Sequence, residues 1–207
     1  MRQKQNRFNL QVAMLSASLG FASLLSGCGE TKIEEDVAVT PPASFDSSSM
    51  AVPPGYDKVE LGSTKPVFKH NDIYIAGQPA ADDMQALKDA GITRVISVRG
   101  EGEIDWDEKA AVEAAGMEFF SIPMAAPEDM TDEALTKIRG MLNQSSEKPV
   151  MLHCGAASRA AAIWMTYNAI DEKAGVEDGF KNANRMLSIP DQWAGPAGEY
   201  VVRESKK

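Results

Sequence analysis

Pro149-Val150-Met151-Leu152-His153-Cys154-Gly155-Ala156-Ala157-Ser158-Arg159 is the stretch on which the fold turns. Val150 to His153 is a short apolar run of strand length. A helix is predicted from about Ser158 to Ile170, with Ala161, Ile163, Trp164 and Tyr167 along it. Cys154 stands between the two. A thiol at such a junction lies among backbone N–H groups that have no helical acceptor, and those groups and the helix dipole favour an anion. The same field stabilises a thiolate, the nucleophilic form. Gly155, Ala156, Ala157 and Ser158 are small enough for their amides to converge on one point. Arg159 adds a planar fork suited to phosphate or sulfate oxygens. These residues together read as a nucleophile, Cys154, in an oxyanion cradle of residues 155–159.

Moving upstream, strands alternate with helices. Ile73 to Ala76 is a short strand ending at Gly77. Pro79 suits a first helical turn, and Met84, Leu87 and Ala90 have helical spacing up to Gly91. Thr93 to Val98 is the most strand-like run in the chain. Trp106 to Ala115 reads as a helix closed by Gly116, and Glu118 to Ile122 as a strand stopped by Pro123. Thr131 is placed to cap a helix carrying Leu135, Ile138 and Leu142. A last helix covers Val176 to Leu187. This alternation predicts a three-layer α/β/α sandwich around a mostly parallel central sheet. Ligands of such sheets bind beyond the carboxyl ends of the strands, where Cys154 falls.

The remaining chain reads as an address and a tether. Arg2, Lys4 and Arg7 precede an apolar run, Val12 to Leu25, shorter than the roughly 20 residues of a spanning helix. It ends in Leu25-Ser26-Gly27-Cys28, which resembles the bacterial lipobox. That resemblance implies a signal peptide over 1–27, lipidation of Cys28, and export to the periplasmic or cell-surface side of a membrane. Gly29, rather than Asp, follows the cysteine, which leans toward an outer membrane. Residues 28–65, with Pro41-Pro42, Ser47 to Ser49, Pro53-Pro54 and an acidic cluster at Glu34 to Asp36, read as an extended tether. The folded domain is predicted over 66–190, and 191–207 as a C-terminal tail. The net charge of −9 becomes more negative once the basic leader is removed, so long-range attraction to nucleic acid is excluded. No cluster of His or acidic residues suggests a metal, and no cofactor is expected.

His-Cys, a loop of small residues and Arg at a strand-to-helix turn resembles the cysteine-dependent tyrosine and dual-specificity phosphatases. Four residues separate Cys154 from Arg159, one fewer than is usual there. The shorter loop resembles the phosphatase-like domain of bacterial beta-lactamase hydrolase-like proteins. Ile75 to Pro79, Leu87 to Gly91, Val95 to Arg99, Gly116, Ile122-Pro123 and Pro149-Val150 fall where that family's pattern has them. The resemblance covers about Phe68 to Asn184. It implies attack by Cys154 on a phosphoester through a thiophosphate intermediate, phosphate held by residues 155–159, and thiolate support from His153. Two positions depart from the pattern. Ala157 stands where that family usually has Gly, and Ala160 where phosphatases have Ser or Thr, a role Ser158 could substitute.

A phosphatase also needs an acid for the leaving oxygen. Asp129 and Glu128, after the strand ending at Ile122, are candidates, although both also suit the N-terminus of the helix at Thr131. Glu101, Glu103 and Asp105 face the same rim, and Arg99 is expected to pair with one of them. The four-residue loop also occurs in rhodanese-type sulfurtransferases, so sulfur transfer through a Cys154 persulfide is an alternative. A third is a non-catalytic lipoprotein that binds an anion or a protein. The expected partners are a phosphorylated or other small oxyanion substrate and the membrane.

Overall fold

The computed structural model describes residues 56–207. The expected signal peptide, Cys28 and the expected tether up to residue 55 lie outside the described residues. Six strands form one sheet: β1 (Asp57–Lys58), β2 (Val67–His70), β3 (Ile73–Ala76), β4 (Arg94–Ser97), β5 (Glu118–Ser121) and β6 (Val150–His153). Their order is β1-β2-β3-β6-β4-β5. The last four in that order run parallel, and β1 and β2 make an antiparallel edge.

The register brings the parallel strands to a common finish. Ala76 and Ser97 both pair with His153, and Ser97 pairs with Ser121. The loops that follow β3, β4, β5 and β6 therefore open on one edge of the sheet. The strand containing His153 lies in the middle, flanked by β3 and β4.

Alternation along each strand feeds two cores. Val150 and Leu152 join Ile75 and Ile96 in one of them. It is closed by α3 (Asp132–Leu142), α4 (Ser158–Ile170), α5 (Gly175–Met186) and α6 (Asp191–Glu204), through Leu135, Ile163, Ala183 and Tyr200. Met151 joins Tyr74 and Val95 in the other, closed by Leu87 of α1 (Met84–Asp89) and Val112 of α2 (Glu108–Ala114). All four residues of β6 are buried for this reason. The α/β/α expectation holds.

The structure differs from the sequence reading at both ends of the domain. The folded chain begins by Tyr56, well before the boundary placed at 66. Buried Asp83 accepts hydrogen bonds from the Ser63 N–H (2.8 Å), the Ser63 hydroxyl (2.9 Å) and the Thr64 hydroxyl (2.7 Å). Its partners stand about twenty positions away, so local composition does not reveal this fastening. At the other end, residues 191–207 are no loose tail. Helix α6 runs through Gly195-Pro196 because Trp193, Ala194, Ala197, Tyr200 and Val201 bury one face. No helix among the described residues is long and apolar enough to cross a membrane.

Candidate active site

β6 delivers His153 and then Cys154 to the middle of the open edge. Cys154 is 2% exposed, while Gly155 and Ala156 are exposed. Neighbouring strands pin the loop. The Cys154 N–H reaches the Ala76 carbonyl (3.3 Å), and the Gly155 carbonyl accepts from the Gln78 N–H (3.1 Å). Gly77 allows this approach, because a Cβ there would lie 2.3 Å from the Lys65 carbonyl oxygen and 3.3 Å from the Gly155 oxygen. Ala157 closes the loop in the left-handed region (φ 67°) and caps α4. The departure from glycine noted at this position therefore falls where the backbone favours glycine. Ala160 is fully buried, so Ser158 carries the loop's one hydroxyl.

Arg159, in the first turn of α4, reaches across to the loop after β4. Its Nη1 donates to the Val98 carbonyl (2.7 Å) and to Glu103 Oε1 (3.1 Å), and its Nη2 to Glu103 Oε2 (3.2 Å). The Trp193 ring covers the guanidinium, with Cζ 4.9 Å from the ring centroid. The Arg159 Nε is buried without a hydrogen-bond partner. Arg99 shares Glu103, with its Nε 2.9 Å from Oε2 and a bond from Nη2 to the Glu103 carbonyl. It also borders the loop, since a Cβ on Gly155 would lie 3.0 Å from the Arg99 Nη1. Burial opposes ionisation of Glu103. Hydrogen bonds from Arg159 and the Gly100 N–H, and the charges of both arginines, outweigh it and hold the carboxyl below its ordinary range. One carboxylate between two guanidiniums leaves that trio net positive beside the loop at Gly155.

Behind the loop, His153 is fully buried, and its Nε2 lies 3.2 Å from Glu108 Oε1. The two groups are within pairing distance but lack the geometry of a full hydrogen bond. Gln78 donates its amide to Glu108 Oε1 (2.6 Å) while its backbone holds the loop. Burial opposes ionisation of Glu108 too, yet His153, Gln78 and Ser97 hold its carboxyl below the usual range. Sequence reasoning placed Glu108 in a helix and missed its role. The available signal was an acid at a core-facing position of the first turn, level with the His153 strand end.

Asp129 lies elsewhere on the rim. It is exposed on the loop after β5, where its Oδ2 accepts from the Ala126 N–H (2.9 Å) in a 3-10 turn. Thr131 caps α3 through the Ala134 N–H, as predicted. Glu128, Glu101 and Asp105 are exposed as well. Among the described residues, no group of three or more His, Cys, Asp or Glu is placed to hold a metal.

A sequence model of the beta-lactamase hydrolase-like protein, phosphatase-like domain, matches residues 67–171, half of the chain. The chain belongs to this family. A beta-lactamase hydrolase-like protein of Agrobacterium fabrum is 28% identical over 137 residues, which are 62% of this chain and 31% of that protein. The chain thus spans about a third of that relative's length. Among solved structures, TpbA of P. aeruginosa is similar with a TM-score of 0.58 at 18% identity, over 72% of this chain and 91% of TpbA. TpbA has also been solved with phosphotyrosine. A DUF442 protein of Shewanella putrefaciens CN-32 gives a TM-score of 0.56 at 21% identity, over 69% and 95% of the two chains. The structures establish a shared fold. The matched stretch ends at Asp171, before α5 and α6.

Proposed function

We propose that the domain is a cysteine-dependent phosphomonoester hydrolase, exported and held at a membrane by a lipid on Cys28. One observation carries the catalytic half. A buried thiol stands at the carboxyl end of the central strand, one short loop from a clamped guanidinium whose Nε has no partner. Cys154 thiolate attacks phosphorus, the S–P bond forms, and the bond to the ester oxygen breaks. The loop amides and Arg159 hold the equatorial oxygens while that charge develops. Asp129 is the acid assigned to the departing oxygen. Water then cleaves the S–P bond, releasing inorganic phosphate and restoring the thiolate. The phosphotyrosine complex of TpbA supports a phosphate monoester as the substrate class.

The decisive experiment compares p-nitrophenyl phosphate with thiosulfate as substrates. Turnover of the ester, its loss in Cys154→Ser with phosphate binding retained, and a drop of about 10²–10³ in Arg159→Ala are expected. Turnover of thiosulfate alone would move the chain to sulfur transfer. Asp129→Asn should slow phenyl phosphate far more than p-nitrophenyl phosphate, because only the poorer leaving group needs the proton. The lipobox supports the anchor, and Cys28→Ser should abolish lipid labelling. Continued labelling would remove the anchor from the reading.

A further inference from the structure

Helix α6 lies beyond the matched residues, 67–171, and its first turn touches Arg159. Its middle is fastened to α3 and α4. The Tyr200 hydroxyl meets the Thr136 hydroxyl (2.8 Å) and accepts from Arg139 Nη1 (2.7 Å), and Arg139 in turn pairs with Asp171 (2.6 Å). Fixing Tyr200 fixes the first turn, two turns earlier on the same face. Trp193 stands in that turn, 6% exposed, with its ring over Arg159. The Val98 carbonyl and Glu103 hold the guanidinium by its edges, within its plane. Edge contacts restrain sliding and leave rotation of the plane about the edge. The indole ring beneath Cζ, 4.9 Å from it, is the remaining contact that can restrain that rotation.

We propose that Trp193 is a positioning residue for Arg159: its indole face sets the guanidinium plane so that the fork meets the oxyanion, which makes the C-terminal helix part of the active site. This rests on reading the Cys154 loop as an oxyanion site. A tryptophan that merely filled space would be replaceable by any side chain of similar bulk. One that sets a plane needs a π face. The effect should also depend on a planar group at position 159.

The test uses the full chain and inorganic phosphate, read as protection of Cys154 from iodoacetamide. Trp193→Met and Trp193→Phe both fill space, but only Phe keeps a π face. The phosphate concentration giving half protection should rise roughly two- to thirty-fold in Trp193→Met. It should rise much less in Trp193→Phe. In an Arg159→Lys background, which has no plane to set, Trp193→Met should add little. Equal losses in Met and Phe variants, or an undiminished loss beside Lys, overturn the assignment. If the variants do not fold, the unsubstituted protein decides by NMR. Phosphate should shift the indole N–H resonance of Trp193 and leave that of Trp164 in place, and an unmoved Trp193 overturns the assignment. Absence of protection in the unsubstituted chain is a different result. It sinks the oxyanion reading itself, and the role of Trp193 with it.

Discussion

The chain has two histidines, and each meets a glutamate at opposite ends of the same sheet. His70 ends β2, level with the start of β3, while His153 ends β6 at the mouth. The floor pair is the tighter one. His70 Nε2 lies 2.6 Å from Glu172 Oε1, with the side chains 13% and 21% exposed. The mouth pair is 3.2 Å apart, at 0% and 4%. At the floor the imidazole stacks on Tyr56 (4.4 Å between centroids) and meets the Trp164 edge, and Asn168 donates to Glu172 (2.6 Å). Burial, with the charge of Glu172, pushes Tyr56 up to about 12. That cluster ties the chain's entry to α4. At the mouth, the residue next to the pair is Cys154. A short ion pair thus marks structure here. The looser, deeper pair stands at the carboxyl ends of parallel strands, where sheets of this kind bind their ligands.

Removing one carboxylate from each pair should separate them most strongly. Glu108→Ala should cost about 1–3 kcal/mol, since it leaves the fully buried His153 imidazole and the Gln78 amide without their acceptor. Glu172→Ala should cost about 1 kcal/mol, because its pair is partly solvated. Urea unfolding measures both. Glu108→Gln should also displace the pH profile of Cys154 alkylation, and Glu172→Gln should leave it alone. A floor variant that moved the thiol would break the division of labour.

Acid should weaken both ends. Burial opposes ionisation of Glu172 and Glu108, yet hydrogen bonds and the histidines hold both carboxyls below their ordinary range. A carboxyl depressed in the folded state stabilises above its unfolded pKa, about 4.3 for Glu, and loses that contribution as pH falls through the folded value. Unfolding free energy should therefore decline as the pH drops below about 4. The decline should be shallower in Glu108→Gln and in Glu172→Gln than in the unsubstituted protein. An unaltered acid limb in either variant would show that its pair does not contribute.

The smallest expected contrast concerns backbone. Asn71, in the floor turn between β2 and β3, and Ala157, at the mouth, both have positive φ (52° and 67°). Asn tolerates that region and Ala does not. Ala157→Gly should raise stability by about 0.5–1 kcal/mol, and Asn71→Gly by close to nothing. Thermal melts of the two variants test this, and equal gains would mean that the mouth holds no strain.

The parallel core was legible because its signals are local. Ile73–Ala76, Val150–His153 and the span of α4 were each read at their observed bounds, since apolar runs broken by Gly and Pro identify them. Cys154 and Arg159 could be found from the turn they share. What escaped depends on distant partners. The strand Asp57–Lys58 is two residues long and pairs with β2 without an apolar pattern. Gly195-Pro196 argues locally against a helix, and only the buried stripe from Trp193 to Val201 overrides it. Glu103 was placed on the rim, but its bridging of Arg99 and Arg159 needed the loop's course across the mouth.

Tyr56 stacks beside His70, at the end of the sheet away from Cys154. A parallel strand of four residues spans roughly 13 Å, so Tyr56 and Cys154 stand about that far apart along the strand direction. A bead, sensor chip or bulky probe coupled at Asp57, exposed on β1 and paired with Lys69, should therefore leave the mouth unobstructed. The C-terminal side offers a poorer handle, because the helix that ends there also carries the ring over Arg159.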